Sequence, residues 1–444
     1  MGKNKEIIVI GGGLAGSEAA FQIARLGFKV VLYEMRPKKF TPAHKTDLLA
    51  ELVCSNSLKA FSLENASGIL KEEMRSLSSL IMESADKTRV PAGGSLAVDR
   101  ERFSELVTRS IEMNTNIKII REEVVELPDK EPTIIATGPL TSEGLIKNLV
   151  KLIGEKRLYF YDAIAPIVKA DSIDMNIAFK ASRYEDKGDG DYINCPMNKE
   201  QYYNFIKAIE EAEKIEPRDF EDVVSFERCK PIEDLIKRGP LTLAFGPMKP
   251  KGLIDPKTGN EPFAVVQLRQ DNIRGDLYNM VGFQTRLKWP EQERIFRMIP
   301  GLEKVEFYRY GSLHRNTFIN APALLNETLQ LKNAPHIFIA GQLTGVEGYL
   351  ESTAMGLLSG IFTSIWVKGG KIIPPPKTTA IGSLLYYITH ADPKNFQPMS
   401  INFGLFPPIN MKGNKKERRK AIAKRALTDI KKWYEMILKI FSED

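Results

Sequence analysis

Near the N-terminus, the pattern of apolar and polar positions predicts a strand, a helix and a second strand. Residues 7–10 are four consecutive aliphatic side chains, which is typical of a strand buried on both faces. Residues 17–26 have the composition of a helix, which ends at Gly27, and residues 29–33 again favour a strand. This order predicts a parallel α/β sheet that begins with the first residues of the chain.

The same patterns divide the rest of the chain into further elements. They predict helices over residues 64–83, 99–111 and 351–366, strands over residues 117–127, 133–138 and 336–340, and a partly helical segment over residues 47–60. From residue 169 the chain is richer in charge, proline and aromatic side chains, which indicates an inserted domain. We predict a first domain over residues 1–168, an insertion over residues 169–304, and the second part of the first domain, with a basic helical tail, over residues 305–444.

Composition and charge narrow the class of protein. The chain has 444 residues, of which 43% are hydrophobic and 27% charged, as in an ordinary globular protein. No apolar run approaches the ~20 residues of a membrane span, and the first strand follows a few polar residues, so we expect neither a membrane segment nor a signal peptide. Three widely spaced cysteines predict free thiols in a cytoplasmic protein. We find no zinc-ligand spacing and predict no metal site, and the net charge of +7 favours an acidic partner only weakly.

The turn after the first strand carries a glycine motif of the kind that binds dinucleotides. In this G-x-G-x-x-G, the first glycine allows the tight turn, the second lets the backbone approach a pyrophosphate and the third lets the helix pack on the strand. The predicted cofactor-binding residues of the turn are Gly11, Gly12, Gly13, Leu14, Ala15 and Gly16. Glu34 ends the second strand, where a carboxylate can accept hydrogen bonds from the ribose hydroxyls of an adenosine. The motif leaves open whether that adenosine belongs to NAD or to FAD.

Later segments favour FAD. Residues 133–138 predict a strand that returns beneath the cofactor, and Val124 lies where chains of this type bring backbone to an adenine edge. Gly341 and Gln342 follow another predicted strand and precede a helix, an arrangement that completes the binding of the ribityl chain and pyrophosphate of FAD. A plain NAD-dehydrogenase does not need it. We therefore predict an α/β fold with a Rossmann-like, glutathione-reductase-type FAD-binding domain and an inserted α+β domain.

Two of the three cysteines have polar surroundings that favour a chemical role. Cys229 lies between Arg228 and Lys230, and flanking cations favour a thiolate over a thiol. Cys54 is followed by three polar residues, whereas a structural cysteine usually has apolar neighbours. From its neighbours alone, a half-buried thiol without a role is an equally good interpretation of Cys54.

Basic clusters mark candidate contacts with an acidic partner. His314 and Arg315 stand together in a polar stretch, and the tail from residue 410 carries a dense run of Lys and Arg. Apolar residues recur along that tail at helical spacing. The run is therefore either a solvated helix face or a phosphate-binding surface.

Several long motifs resemble those of one family, the folate- and FAD-dependent tRNA uracil-5-methyltransferases. They are GGGLAGSEAA at the start, TDLLAELVCSNSLKA around Cys54, PAGGSLAVDRE, FERCKPIE around Cys229, VGFQTRLKWPEQ, YGSLHRNTFINAP and GQLTGVEGYLESTAMG. The resemblance extends from end to end and includes NFGLFPP and the basic tail. One departure is His44-Lys45, where the family often has two histidines.

The resemblance implies a flavin-dependent methylation of RNA. FAD, reduced by NAD(P)H, would pass the methylene group of 5,10-methylenetetrahydrofolate to C5 of the T-loop uridine of tRNA, where a hydride completes the methyl group. A cysteine matching Cys229 would add to C6 of the uracil, and one matching Cys54 would act near the flavin as a base or second thiol. Glu347 is also implied in the catalytic site. The implied substrate contacts are His314, Arg315, Arg286 and Lys412.

Three rivals share part of this pattern. A larger flavoprotein that modifies the wobble uridine has the same glycine motif, but it needs a long C-terminal helical domain for which this chain ends too early. A sister enzyme would methylate a ribosomal RNA uridine by the same chemistry. A non-catalytic FAD-containing RNA-binding protein is the third rival, and the cationic neighbours of Cys229 argue against it.

Overall fold

The computed structural model describes residues 6–154, 158–183, 190–215, 230–411 and 413–442, with the backbone alone at 158–162 and 314–315. The strands are β1 (Ile7–Ile10), β2 (Val30–Tyr33), β3 (Ser57–Ala60), β4 (Arg89–Val90), β5 (Ser95–Val98), β6 (Ile117–Ile120), β7 (Thr133–Ile135), β8 (Leu158–Ile164), β9 (Ile167–Lys169), β10 (Phe179–Ala181), β11 (Tyr192–Met197), β12 (Ala264–Gln270), β13 (Leu277–Met280), β14 (Phe307–Arg309), β15 (Ser312–Phe318), β16 (Gln330–Leu331) and β17 (Ala334–Ile339). The helices are α1 (Leu14–Arg25), α2 (Ala66–Ser76), α3 (Leu80–Lys87), α4 (Arg100–Glu112), α5 (Glu143–Ile153), α6 (Lys199–Glu211), α7 (Ile232–Ile236), α8 (Thr242–Phe245), α9 (Trp289–Phe296), α10 (Ala321–Leu324), α11 (Tyr349–Lys368), α12 (Ala380–His390) and α13 (Lys415–Ser442).

The first sheet is a mostly parallel, Rossmann-like sheet. Its order is β16-β17-β7-β1-β2-β6, and every neighbouring pair is parallel except the edge pair β16 and β17. β1 lies between β2 and β7, and three of its four side chains are fully covered. The aliphatic run that predicts a strand buried on both faces therefore forms the centre of the sheet. The carboxyl ends of its five parallel strands meet along one edge.

The second sheet is antiparallel and has its own core. Its order is β10-β11-β12-β13-β9-β14, and α6 and α9 pack against it in a separate apolar cluster. An antiparallel ribbon of β8 and β15 connects the two sheets. The predicted domain boundaries at 168/169 and 304/305 lie within β9 and just before β14, so the domain division stays a prediction that differs from the sheets by a few residues.

Helix α11 packs directly on α1, and small residues allow the close approach. A Cβ atom added at Gly356 would lie 2.2 Å from the carbonyl oxygen of Ala15, and one added at Gly360 would lie 2.7 Å from that of Ala19. The pair belongs to the large apolar core beneath the first sheet. This packing fixes the N-termini of both helices on the same side of the sheet.

Some local predictions need correction. Residues 47–56 are irregular and lead into β3, so the predicted helical segment around Cys54 is absent from this described stretch. The strand predicted over residues 117–127 ends at Ile120, and the helix predicted over residues 64–83 is divided into α2 and α3.

Helix α11 is also more apolar than we expected for any segment of this chain. By length and composition it could cross a membrane, but 89% of its most apolar window is buried inside the fold. Its composition is that of a core helix.

Candidate functional site

A cleft opens at the carboxyl edge of the parallel sheet, as expected for a sheet of this topology. Its walls come from the segments that follow β1, β2, β6, β7 and β17, together with the loop that contains residues 41–53. The space encloses roughly 1030 Å³, including its solvent-open mouth. Nine of the ten predicted cofactor-binding residues line this cleft, and the exception is Gly16.

The glycine turn forms the floor of the cleft. Gly11 has a φ of +103°, a conformation that favours glycine, and a Cβ there would strike the backbone of Ala136. A Cβ at Gly13 would meet nothing within 4 Å, because this residue faces the open cleft. A Cβ at Gly16 would lie 1.7 Å from the Gly11 carbonyl oxygen, so Gly16 serves the packing of α1 and does not line the cleft.

The N-terminus of α1 points at this floor without a counter-charge of its own. Its N-cap, Gly13, has no side chain to accept a hydrogen bond, and the first turn carries no acidic residue. The first amides and the positive end of the helix dipole are therefore left for an anion. A pyrophosphate at this place would find both.

Glu34 lies in the cleft wall, where buried donors already surround it. Its carboxylate accepts from the amides of Gly12 and Arg36 at 2.9 and 3.0 Å, and from Nε and Nη2 of Arg36 at 2.9 and 3.1 Å. Burial opposes its charge, but these bonds and the Arg36 charge hold the pKa of Glu34 below its ordinary value. Four donors fill the usual acceptor positions, so a ribose hydroxyl would have to share one of them.

The loop after β2 contributes a neutral imidazole to the cleft. His44 Nδ1 lies 2.6 Å from Thr41 Oγ1. Burial and the nearby Arg36 guanidinium lower the pKa of His44 to about 4. His44 is therefore uncharged at neutral pH and can stack on or hydrogen-bond to a ligand without adding positive charge.

Cys54 lies at the edge of the cleft in an irregular loop. Its amide donates to the hydroxyl of Tyr349 at 2.6 Å, and both Tyr349 and the neighbouring Val53 line the cleft. The thiol is half-buried and forms no disulfide among the described residues. The structure thus brings Cys54 to the predicted flavin site, although 295 residues separate it from Tyr349 along the chain.

Glu347 lies just before α11, next to the cleft but not among its lining residues. Its Oε2 accepts from Ser400 Oγ at 3.1 Å, and its amide donates to the carbonyl of Met399. Lys59 Nζ donates to the Glu347 carbonyl at 3.4 Å and pairs with Glu351 at 2.6 Å. Glu347 is thus part of a polar cluster at the N-terminus of α11.

The remaining predicted residues are not brought to the cleft by the described structure. Arg286 is buried in the segment between β13 and α9, where it pairs with Asp234 at 3.2 Å. His314 and Arg315 lie on β15 opposite β8, and their side chains are outside the described set. Cys229 and Lys412 lie outside the described residues. Their roles stay predictions.

Sequence reasoning missed several residues that shape the site. They are Arg36, Thr41, His44, Glu51 and Tyr349 in the cleft, and three arginines near Cys54, which are Arg100, Arg269 and Arg309. Most of the cleft residues fall within or beside motifs that carry the family resemblance, which was the available signal. The arginines come from α4, β12 and β14, and no local pattern connects those elements.

The cleft residues fit an FAD. The open space beside Gly13, the uncapped α1 and the buried Glu34 match the pyrophosphate and adenosine of a dinucleotide. Gly341 and Gln342, after β17, extend the cleft toward Tyr349 and Ser352, which supplies the length that a flavin needs. No three His, Cys, Asp or Glu side chains in the described part of the chain come together as metal ligands.

Comparisons with known proteins agree with this architecture. The family model described as "Glucose inhibited division protein A" (GIDA) matches residues 6–371. A protein of Syntrophus aciditrophicus (strain SB) named "Methylenetetrahydrofolate--tRNA-(uracil-5-)-methyltransferase TrmFO" is 56% identical over 433 residues, which cover 98% of each chain. A protein of the same name from Geobacter sulfurreducens is 58% identical over 428 residues, covering 96% of this chain and 98% of the relative.

Solved structures support the fold alone. The form I crystal structure of Aquifex aeolicus GidA superposes with a TM-score of 0.72 at 18% sequence identity. The match covers 99% of this chain and 78% of that one. The predicted α/β fold with a Rossmann-like FAD-binding domain is confirmed by this likeness and by the parallel sheet.

Proposed function

We propose a function for this chain from one premise: it belongs to the GIDA family and, within it, to the methylenetetrahydrofolate–tRNA-(uracil-5-)-methyltransferases named TrmFO. On that premise the chain is an enzyme that methylates C5 of a uracil in tRNA with a one-carbon unit from 5,10-methylenetetrahydrofolate. The observation that carries the proposal is near-complete alignment with relatives of that name at 56–58% identity. The T-loop uridine is the target that the sequence motifs favour.

The cleft supplies the cofactor site that this reaction needs. Gly11 to Ala15, Glu34, Val124, Gly341 and Gln342 would hold the FAD along the carboxyl edge of the sheet. When bound and reduced by NAD(P)H, FAD would supply the carrier for the one-carbon unit and the hydride that completes a methyl group. The chain's own task is to orient the two substrates against that cofactor and to activate the uracil.

Activation of the uracil requires a nucleophile, because C5 of uracil is a weak carbon nucleophile. A thiolate that adds to C6 forms an S–C6 bond and moves the C5–C6 electron pair into an enolate, which raises the electron density at C5. We assign this step to Cys229. After C5 has gained its new carbon, a base would remove the C5 proton, and the electron pair left at C5 would release that carbon from its donor nitrogen as an exocyclic methylene. Addition of the hydride to the methylene would then restore the C5–C6 double bond and expel the thiolate from C6. Cys54, beside Tyr349, is the candidate for that base.

Binding of folded RNA requires surface charge and an extruded base. The target uridine has to leave its stack to reach the cleft, at an unstacking cost of a few kcal/mol. Phosphate contacts from the basic helix α13 would offset that cost, since its exposed face carries clustered Lys and Arg. Glu347, Arg286, His314, Arg315 and Lys412 remain candidates for contacts with folate or RNA.

Transfer of label tests the reaction directly. Purified protein with FAD, NADH and methylenetetrahydrofolate labelled in its one-carbon unit is incubated with unmodified tRNA and, separately, with unmodified ribosomal RNA. Label in C5-methyluridine of tRNA supports the proposal. Label confined to ribosomal RNA would identify the sister activity, and absence of label in both would overturn the enzymatic proposal.

Substitution of Cys229 tests its assignment. We expect Cys229→Ala to abolish methyl transfer while FAD stays bound, because the residue acts on the uracil and not on the cofactor site. Cys195→Ala is the matched control: that thiol is fully buried in the second core, where burial raises its pKa far above the ordinary value. Full methyl transfer by Cys229→Ala would remove Cys229 from the mechanism.

A further inference from the structure

Three arginines from three different elements surround the loop that contains Cys54. Arg100 comes from α4, Arg269 from β12 and Arg309 from the end of β14. Each of the three interacts electrostatically with the Cys54 thiol. Two of these elements belong to the second sheet, so the cluster forms only where the second sheet meets the cleft of the first.

Hydrogen bonds connect two of these arginines to the loop around Cys54. Arg100 Nη1 donates to the carbonyl of Leu52, two residues before Cys54. Arg269 Nε donates to Asn56 Oδ1 at 3.1 Å, two residues after Cys54. The side-chain Nδ2 of Asn56 in turn donates to the carbonyls of Val98 and Gln270 at 2.9 and 3.0 Å. Guanidinium groups thus hold the loop on both sides of Cys54, at Leu52 and at Asn56.

The described residues leave the charges of the cluster unbalanced. Arg100 pairs with Asp271 through Nε and Nη2, at 3.2 and 2.9 Å. Burial lowers the pKa of Arg100, but the charge and the hydrogen bonds of Asp271 oppose burial, and the pKa is raised. Arg269 is 7% exposed, and among the described residues its only hydrogen bond is the one from Nε, so both of its terminal nitrogens lack a protein acceptor. Arg309 donates to the carbonyl of Ala43 at 3.1 Å and to no other acceptor in the described part of the chain.

Buried, unbalanced cations are costly unless an anion accompanies them. Burial lowers the pKa of both Arg269 and Arg309, although a guanidinium stays charged at neutral pH. Among the residues that the structure describes, the titratable or charged groups that face the cluster are the anions Asp271 and Glu51, the hydroxyls of Tyr192 and Tyr349, and Cys54. Asp271 already forms an ion pair with Arg100, and Glu51 forms one with Arg36 at 3.1 Å. Of the groups just named, the remaining one that can become an anion at moderate pH is the Cys54 thiol.

We propose that Arg100, Arg269 and Arg309 form a cationic cradle that holds Cys54 as a thiolate. The inference rests on the proposed function, in which a base near the flavin takes the proton from C5 of the uracil. A thiolate can accept that proton and become a thiol, whereas a thiol cannot. The three arginines are positioning residues in this scheme: they act through Cys54 and set its protonation state.

The test is a pH titration of the thiolate's ultraviolet absorbance in the FAD-bound enzyme, taken as the difference between the protein with Cys54 and its Cys54→Ala counterpart. We expect a midpoint below the ordinary thiol value of about 8.5. Arg269→Gln and Arg309→Gln, each paired with its own Cys54→Ala double variant, should raise the midpoint by about 1 to 3 pH units. Arg269→Lys keeps the charge and should stay nearer the original value.

Arg274→Gln is the matched control, because Arg274 is exposed on the turn between β12 and β13, five residues after Arg269. It should leave the midpoint unchanged. A midpoint at or above about 8.5 in the unsubstituted enzyme would overturn the proposal. The same midpoint with and without Arg269 and Arg309 would also overturn it. If an arginine variant fails to fold, the midpoint measured for the unsubstituted enzyme still tests whether Cys54 is a thiolate at neutral pH. Because the titration needs no RNA, its outcome is independent of the methylation assay.

Discussion

At the scale of single residues, the space beside a glycine separates a role in the fold from a role in the cofactor site. A Cβ at Gly16 would overlap the backbone of the preceding turn, whereas a Cβ at Gly13 would enter the open cleft. The same motif therefore contains one glycine that the helix packing needs and one that a pyrophosphate needs.

This contrast predicts that Gly13→Val expels the flavin from a folded protein. The added side chain would occupy the space of the pyrophosphate, and we expect a loss of flavin binding free energy of at least about 1–3 kcal/mol, the usual cost of overfilling a packed space. Flavin absorbance after gel filtration measures the bound cofactor, and circular dichroism measures the fold.

Gly94→Val serves as the control for this change. A Cβ at Gly94 also meets nothing within 4 Å, but the residue lies in an exposed loop outside the cleft lining. It should retain FAD. Flavin retained at the normal ratio by Gly13→Val would contradict the assignment of this turn to the pyrophosphate.

How far the sequence predicts the site depends on whether a residue acts through its local turn or through distant contacts. The G-x-G-x-x-G turn and Glu34 follow from spacing alone, because strand, turn and helix are consecutive. The bonds that Arg36 makes to Glu34 do not follow from spacing, although only two residues separate them. They depend on the path of the loop after β2, which tertiary packing sets.

At the scale of elements, α11 fixes the position of α1. The close contact of Gly356 with the Ala15 backbone leaves no room for a larger side chain. We expect Gly356→Val to lower the free energy of unfolding by about 1–3 kcal/mol or more and to weaken FAD binding, because the shift reaches the N-terminus of α1. Denaturant unfolding and flavin content measure the two effects. Unchanged stability would show that the helices can separate without cost.

A buried carboxyl connects α2 with α12. Both oxygens of Glu73 accept backbone amides, from Ala380 at 2.7 Å and Ile381 at 2.9 Å, at the N-terminus of α12. The burial of this carboxyl outweighs those bonds and raises the pKa of Glu73 to about 8. A helix junction in the core is thus tied to a group that titrates near neutral pH.

The sign of the resulting pH dependence follows from the raised pKa. Between about pH 4.5 and pH 8, the folded state keeps a proton that the unfolded state releases, so stability falls as pH rises through this window, by up to about 1.4 kcal/mol per pH unit. Glu73→Gln cannot titrate, and we expect it to flatten this slope in denaturant unfolding. Glu72→Gln, at the partly exposed neighbouring position, should leave the slope unchanged. Equal slopes in all three proteins would contradict the buried titration.

Element predictions succeeded where apolar periodicity is continuous and failed where tertiary contacts replace it. The run in β1 and the small residues of α11 give clear signals in the sequence. The loop around Cys54 contains enough Leu, Ala and Glu to resemble a helix, but its backbone is fixed instead by bonds to Tyr349 and Arg100. Those partners lie far away in sequence, so no local pattern could reveal them.

At the scale of the whole molecule, the site combines parts of two sheets. The first sheet supplies the cleft, and Arg269 and Arg309 reach Cys54 from the second. Family resemblance identified the chemistry correctly at the level that the relatives confirm, which is tRNA uracil-5 methylation that uses folate. It could not reveal the arginines, because their meeting at Cys54 is a property of the folded chain.

The charge of the whole molecule bears on how it holds RNA. Helix α13 carries exposed cations at Lys415, Lys416, Arg418, Lys420 and Lys424. Lys416 pairs with Glu64 at 3.1 Å, and Arg425 donates to the carbonyls of Pro407 and Pro408, so the helix is anchored to the body of the protein. An anchored row of cations can neutralise phosphates with little loss of side-chain and backbone freedom.

This arrangement predicts that tRNA binding depends steeply on salt and that α13 carries part of the dependence. Each lost phosphate contact should reduce the slope of log K against log salt by about 0.7–0.9. We expect the triple variant Arg418→Ala, Lys420→Ala, Lys424→Ala to bind tRNA more weakly and with a slope smaller by up to about two to three units. A second triple variant, Lys199→Ala, Lys207→Ala, Lys257→Ala, controls for net charge, because it removes three exposed charges that lie outside α13. If both triple variants lose the same slope, general charge attracts the RNA and α13 is not its docking surface; if neither does, the phosphates lie elsewhere on the protein.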